Sequence, residues 1–519
     1  MKIANIPDSL LVTASLLLAT AAHNPSDWTT AEAGNPFVDG FFADPDSEFY
    51  NNEYWVYPTS SYAYDQQTYL DAFSSPDLIH WTKHRNVLLA ADFSWVQRAI
   101  WAPAPIARNR KYYLYFGAND IQSDTEVGGI GVGVAENPSG PYKDALGKPL
   151  IGTYIHGAQP IDQDVFLDDD DDDDADDDNG QAYIYYGGHG HANVAKLNAD
   201  MTSLGSFDDG SIFKEITPDK YVEGIQMLKR NGTYYLFWSE GGWGGPDYAV
   251  AYAMSASPTG PFRRIARILE QDPAVATGAG HNGVIHVPGT DVYFIVYHRH
   301  PLGDKIDQND RHLAYDRLYF NHDDGTIRPV RMRVHDNFED GDMLGWTTYG
   351  GAWDATTKAL RAASSGGGNA LLNTNFGDLA FTVDVTIPVS SNSSSSSRNG
   401  SAGLLFRATG PVTGADDAMD GYYAGISTVR QRLFLIRASV SGGTWTEIAS
   451  TRAELRPGQT YRVCVLAKGT SISVYAGDST AAQLHVVDGT YGTARTGMTG
   501  VRVLETEAVF DNVRVEHYS

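Results

Sequence analysis

The sequence holds one cysteine, Cys464, in 519 residues, which excludes a disulfide framework and any cysteine-built zinc site. Long apolar runs are missing as well: outside the N-terminus no segment approaches the ~20 consecutive apolar residues of a membrane-spanning helix. No stretch keeps an extended 3.6-residue apolar period, so helices are expected to be scarce. Basic residues are outnumbered, 38 Lys and Arg against 64 Asp and Glu, and the net charge of −26 argues against nucleic acid or an anionic membrane as partner. Apolar content is not low: 42% hydrophobic and 20% charged residues rule out wholesale disorder.

What the chain has in plenty is glycine, 53 residues, and aromatics, with 30 Tyr and 10 Trp, a composition of short strands and tight turns. Its length predicts two or three domains. At the N-terminus Lys2 precedes the apolar stretch Leu10–Ala19 and then Thr20-Ala-Ala, which reads as an export signal over residues 1–21 and predicts a secreted, extracellular protein. The sequons at Asn231, Asn392 and Asn399 agree with export. Residues 168–178 carry ten Asp in eleven positions, a run expected to repel itself and sit in water as a loop rather than collect calcium.

A repeat organises the first part of the chain. A short aromatic strand recurs as Tyr54-Trp-Val-Tyr, Tyr112-Tyr-Leu-Tyr, Tyr183-Ile-Tyr-Tyr, Tyr234-Tyr-Leu-Phe and Tyr293-Phe-Ile-Val, at intervals of 58, 71, 51 and 59 residues. The longest interval contains the acidic run, which reads as an insertion. Five units of a few strands each predict a five-bladed β-propeller over residues 24–330, its repeats running from about Asn35 to Val330. From Asp336 the pattern turns to polar–apolar alternation, as in Ala380-Phe-Thr-Val-Asp-Val-Thr-Ile, which predicts a lectin-like β-sandwich of the jelly-roll or concanavalin type over residues 336–519. The Ser-rich tract Ser390–Ser397 is expected to be a loop within it. The fold class is therefore all-β.

The repeat also serves as a ruler. Asp44, Trp101, Glu223 and His281 lie 10 to 12 residues before their aromatic strands, and Asp162 lies 21 before, about 10 once the insertion is discounted. In a propeller the innermost strands converge on the axis, so residues at matched offsets gather at one mouth of the channel. Three carboxylates there would raise one another's pKa, leaving one protonated near neutrality while another stays ionised. An acid and a base in one pocket point to glycoside hydrolysis. Each residue taken singly also reads as an ordinary turn or cap.

These residues sit in motifs that carry a family resemblance. Asn35-Pro-Phe-Val-Asp-Gly-Phe-Phe-Ala-Asp44-Pro, Trp101-Ala-Pro, Ile161-Asp162-Gln-Asp-Val-Phe, Val222-Glu223-Gly, Gly278-Ala-Gly-His281-Asn and Tyr297-His-Arg resemble family 43 glycoside hydrolases across about residues 35–330. The resemblance implies an inverting mechanism with Asp44 as general base, Glu223 as general acid and Asp162 orienting Glu223 and raising its pKa. Ala104, where an acidic residue is frequent, and Gln163, where Pro is commoner, depart from the pattern. By the same resemblance His281 falls where a histidine surrounds a central metal, commonly calcium; a buried, hydrogen-bonded histidine is the other reading. Arg311 matches an arginine that reaches the pocket, with a surface ion pair as the alternative. Trp101 is read as a sugar-stacking or axial-packing side chain, and Trp243 as a subsite wall or a turn aromatic.

The C-terminal phrases Asp336-Asn-Phe-Glu339-Asp-Gly, Ala402-Gly-Leu-Leu-Phe-Arg and Phe510-Asp511-Asn-Val-Arg-Val resemble the lectin-like sandwiches attached to such enzymes. There Glu339 and Asp511 are candidates for a structural Ca2+ or for a hydrogen-bonded strand pair. No cofactor is expected for catalysis. The resemblance thus implies a monomeric, exo-acting α-L-arabinofuranosidase on plant cell-wall polysaccharide (arabinoxylan or arabinan). β-Xylosidase, endo-arabinanase and a non-catalytic carbohydrate-binding protein are the alternatives on the same scaffold.

Overall fold

The computed structural model describes residues 33–519 apart from 169–179, 304–305, 390–399, 413–417, 441–443, 478, 480, 492–494 and 519. The expected signal segment, the acidic run beyond Asp168, and the Ser-rich tract lie outside the described residues. Among those described there is no α-helix, only one turn of 3-10 helix at Ala90–Asp92.

Five antiparallel sheets form the propeller. Blade one comprises β1 (Phe42–Tyr50), β2 (Glu53–Ser60), β3 (Tyr69–Ser75) and β4 (Thr82–Leu89). Blade two comprises β5 (Trp101–Arg108), β6 (Lys111–Ala118), β7 (Gly129–Ala135) and β8 (Lys143–Asp144). Blade three comprises β9 (Asp164–Asp168), β10 (Gln181–Tyr186), β11 (Asn193–Lys196) and β12 (Phe213–Glu215). Blade four comprises β13 (Glu223–Arg230), β14 (Thr233–Glu240), β15 (Ala249–Ser255) and β16 (Arg263–Leu269). Blade five has three strands, β17 (Thr277–Val287), β18 (Val292–His300) and β19 (His312–Leu318).

The aromatic repeat is the second strand of each blade. β2, β6, β10, β14 and β18 are buried along nearly their whole length, because neighbouring blades cover both faces of each sheet. Blades one, two and four join their first two strands through pairs in the left-handed region, Asn51-Asn52, Asn109-Arg110 and Asn231-Gly232, the conformation that a tight hairpin of correct twist requires. In blade three the acidic run is inserted between β9 and β10, in the place of that turn.

A separate apolar core fills each gap between blades one and two, two and three, three and four, and five and one. The core between blades four and five continues without a break into the sandwich. That domain consists of an eight-stranded and a seven-stranded antiparallel sheet, and its last long strand, Thr506–His517, pairs with its first, Val334–Asp336. Asp336 fastens the junction: Ala33 bridges to it, Phe338 N–H donates to its Oδ1 at 2.8 Å, and Trp346 Nε1 donates to its Oδ2 at 2.7 Å.

Ring closure falls to blade five and the residues that precede β1. Gly283 on β17 packs so near blade one that a Cβ there would stand 2.9 Å from Asp46 Cα. On the outer strand, Asn35 acts as one rung of a missing fourth strand: its Nδ2 donates to Tyr315 O at 2.9 Å and its Oδ1 accepts from Tyr315 N–H at 3.2 Å. Tyr315 in turn donates its hydroxyl to Leu78 O of blade one at 2.6 Å. Asn35→Ala removes both hydrogen bonds to the Tyr315 backbone and is expected to cost about 1–3 kcal/mol. Thermal or urea unfolding of the variant checks this; an unchanged midpoint would mean that Asn35 does not close the ring.

Candidate active site

Each innermost strand starts with a kink at the axis. At this kink one residue of each blade adopts positive φ, Asp44 (47°), Ala102 (43°), Asp162 (53°), Gly224 (68°) and His281 (45°), and blade five adds a second at Gly278 (56°). Register shifts accompany the kinks between Ala43 and Asp46, Trp101 and Ala104, Glu223 and Gln226, and Gly280 and Asn282. Such bulges re-aim side chains at the rim of a sheet. Here they turn Asp44, Asp162 and His281 into the channel mouth, while Trp101 and Glu223, one residue before their kinks, reach the same place. The offsets of 10 to 12 residues therefore mark two adjacent positions rather than one. In blade four the kink itself must be glycine, since a Cβ on Gly224 would meet Ser239 Oγ at 2.9 Å and His281 Nδ1 at 3.2 Å.

The resulting pocket is a cavity of about 60 Å3 lined by Asp44, Tyr64, Gln67, Trp101, Ile161, Asp162, Glu223, Trp243, His281 and Arg311. All three carboxylates, both tryptophans, Arg311 and His281 that the sequence singled out are thus in one place. Glu339 and Asp511 are not; they belong to the sandwich. Glu339 pairs with Lys358 at 3.2 Å, and Asp511 accepts from Asn512 N–H at 2.7 Å.

The acids differ in their surroundings. Asp44 is buried, which by itself raises its pKa, but Arg311 foremost, with His281 and His298, outweighs that and holds the carboxyl well below the usual carboxylate range. Arg311 Nη1 donates to Asp44 Oδ1 at 3.1 Å, and His281 Nδ1 lies 3.4 Å from the same oxygen. Burial pushes Glu223 up to about 7, against a hydrogen bond from Tyr248 that lowers it; the Asp44 charge raises it further and Arg311 opposes. Tyr248 OH donates to Glu223 Oε1 at 3.0 Å. Asp162 is also driven well above the ordinary range, first by burial and then by the charges of Glu223 and Asp44. Its Oδ2 accepts from Gly224 N–H at 3.1 Å, which ties it to the residue next to Glu223. At neutral pH the pocket therefore offers one ionised carboxylate, Asp44, beside two that resist ionisation.

The walls are held from behind. Arg311 donates Nε to Ser61 Oγ at 3.0 Å and lies over the Trp243 ring at 4.8 Å. His300 Nε2 meets Trp243 O at 3.2 Å, which fixes the glycine-rich loop that carries this ring. Trp101 donates Nε1 to Gln67 Oε1, and the Tyr64 ring meets it edge-on at 4.8 Å. His298, buried and lowered by burial to about 3, accepts the Asp44 N–H on Nδ1 at 3.1 Å and stacks on Tyr248. Sequence reading overlooked Tyr64, Gln67 and Tyr248. None stands at a repeat position, and only the fold brings them to the axis. His298 lay within a quoted motif, but its role as a strut for Asp44 needs the contact between blades.

His281 faces Asp44 at 3.4 Å and Asp162 at 3.7 Å. Among the described residues no group of three or more His, Cys, Asp or Glu side chains is arranged to hold a metal ion.

Residues 33–327 match the model of the glycosyl hydrolases family 43, and residues 335–516 match that of the 3-keto-alpha-glucoside-1,2-lyase-like domain. The chain is 43% identical over 333 residues to Beta-D-galactofuranosidase xynD of Aspergillus niger, covering 61% of this chain and 89% of that protein. It is 27% identical over 324 residues to Xylosidase/arabinosidase 43A of Humicola insolens, covering 51% and 90%. A solved structure, an alpha-L-arabinofuranosidase from Clostridium thermocellum, is 31% identical at a TM-score of 0.45, covering 56% of this chain and 93% of that one. The chain belongs to the glycosyl hydrolases family 43.

Proposed function

We propose that the protein is an inverting exo-furanosidase that removes terminal α-L-arabinofuranosyl groups from plant cell-wall polysaccharide outside the cell. The observation that carries the reading is the pocket itself: a small recess walled by Trp101, Trp243 and Tyr64, with an ionised carboxylate, Asp44, beside one, Glu223, that keeps its proton up to about 7. In this mechanism Glu223 gives its proton to the departing glycosidic oxygen, and Asp44 takes a proton from the water that attacks the opposite face of the ring. Arg311 keeps Asp44 ionised and ready to accept. Asp162 accepts the Gly224 N–H and so holds the backbone that follows Glu223, while burial and the Asp44 charge resist early loss of the acid's proton. Trp101 and Tyr64 offer apolar faces to the sugar's C–H groups. A second reading, β-D-galactofuranosidase, is favoured by the 43% identity to the Aspergillus niger protein of that name. The two glycosides share their ring configuration, and the galactofuranoside adds one CHOH to the exocyclic arm. Aryl α-L-arabinofuranoside, β-D-galactofuranoside and β-D-xyloside tested side by side separate the readings. Proton NMR of the first product is expected to show the inverted anomer, and a retained anomer would overturn the mechanism.

The acid and base assignments have separate signatures. Glu223→Ala is expected to lose about 10²-fold or more on natural glycosides, and far less on aryl glycosides whose leaving group needs no proton. Asp44→Ala is expected to fail on both, because the water has lost its base. Equal responses of the two variants to leaving-group quality would refute the assignment.

Tyr248 sets the pH range. Its hydroxyl donates to Glu223 and so favours the ionised form; without it the acid keeps its proton to higher pH. Activity needs protonated Glu223, so the alkaline limb begins near 7 and is expected to move upward in Tyr248→Phe, with a lower kcat from the loosened acid. A limb that stays in place or moves down in the kcat profile would show that Tyr248 does not act on Glu223.

A further inference from the structure

A second cavity of about 250 Å3 lies in the seam between the propeller and the sandwich. Arg299 and His312 line it from blade five, Arg333 from the linker, and Leu372 from the sandwich. Arg299 is 8% exposed. Its Nη2 donates to Asn35 O at 3.3 Å, while Nη1 has no partner; the buried Nδ1 of His312 has none either. A buried guanidinium N–H without an acceptor is costly, and such groups in folded proteins ordinarily have a ligand or water.

The carboxylates nearby do not fill this vacancy in bonding. Asp336 spends both oxygens on Phe338 N–H and Trp346 Nε1. Asp316 accepts from the Tyr297 hydroxyl at 2.8 Å and from Arg333 N–H at 3.2 Å, and although its charge faces Arg299 it makes no hydrogen bond to Nη1. Asp39 lines the cavity but is exposed, so water screens its charge. Arg299 thus stands in a recess whose remaining wall is largely apolar, with Val38, Val275 and Pro301 among its residues, while the exposed Arg333 donates Nη2 to the Tyr319 hydroxyl at 3.2 Å. Planar forks suit a carboxylate, hydrocarbon walls suit the C–H faces of a ring, and the volume exceeds what a bare inorganic anion needs.

We propose that this seam cavity is a binding site for a sugar carboxylate, a uronate of monosaccharide size, with Arg299 pairing its carboxyl group. The uronate comes either from a side group of the polysaccharide or from a free sugar acid; the chemistry of recognition is the same. The site is separate from the pocket at the axis, although the two are joined through β18. Alternation along that strand sends His298 to Asp44 and its neighbour Arg299 to the seam.

Isothermal titration of the full chain with D-glucuronate tests the site by a readout independent of hydrolysis, so its failure is distinct from failure of the furanosidase reading. One equivalent is expected to bind, with the neutral methyl ester and D-glucose at least tenfold weaker. A glucuronosyl xylo-oligosaccharide that binds as well as the free acid assigns the polymer as source, and weaker binding assigns the free acid. Arg299→Met is expected to lose tenfold or more in affinity for glucuronate. Leu372→Trp, which fills the cavity from the sandwich side, is expected to do the same should Arg299→Met fail to fold. No binding by the unaltered chain, equal binding of the methyl ester, or full displacement by equimolar sulfate would overturn the proposal.

Discussion

Putting Asp44, Asp162 and Glu223 into one small pocket sets a charge problem around which the rest of the site is built. Taken out of water, none of the three would ionise readily, and together they raise one another further. Among the described residues Arg311 is the only lysine or arginine in the lining, and it touches one of them. That contact divides otherwise similar acids into a carboxylate and two carboxylic acids. Ser61 and Trp243 hold the guanidinium in place, and His298 fixes the Asp44 backbone from the other side. Removing this one cation would take away the largest of the interactions that keep Asp44 ionised.

The scaffold supplies the closeness. Each blade is an ordinary antiparallel sheet covered on both faces, and five such sheets leave a channel whose mouth is ringed by the first residues of the inner strands. Four of the gaps between blades hold their own cores. The fifth is shared with the sandwich, so that domain is part of the packing of blades four and five and not an appendage on a linker.

Much of this was legible in the sequence because a propeller repeats. The aromatic strands announced themselves by composition and spacing, and the acidic run betrayed itself by lengthening one interval. The residues at matched offsets did converge, with Trp101 and Glu223 displaced by one position, since a bulge adds a residue that spacing alone cannot locate. What a period cannot carry is a contact between blades that appears once. Tyr248 on Glu223, Gln67 on Trp101 and Asn35 on Tyr315 are of that kind. At Glu339 and Asp511 the phrases marked two residues whose charges do meet, Glu339 helping burial and Asp384 to raise the Asp511 carboxyl, but not that Glu339 would find Lys358.

The ring of left-handed kinks has a cost that falls unevenly. L-residues with a Cβ are disfavoured there by roughly 1–2 kcal/mol, with aspartate among the more tolerant and glycine free of the penalty. At the kink itself blade four uses glycine, whereas Asp44, Ala102, Asp162 and His281 bear the strain. At two of these positions the strained residue is an acid of the pocket, so the backbone geometry that aims the acid also taxes the fold. Glycine at those positions would relax the backbone and empty the site. In this molecule heat resistance and catalytic competence are therefore opposing demands on the same few φ angles. Selection for hardiness alone would drift toward a sturdier and inert propeller.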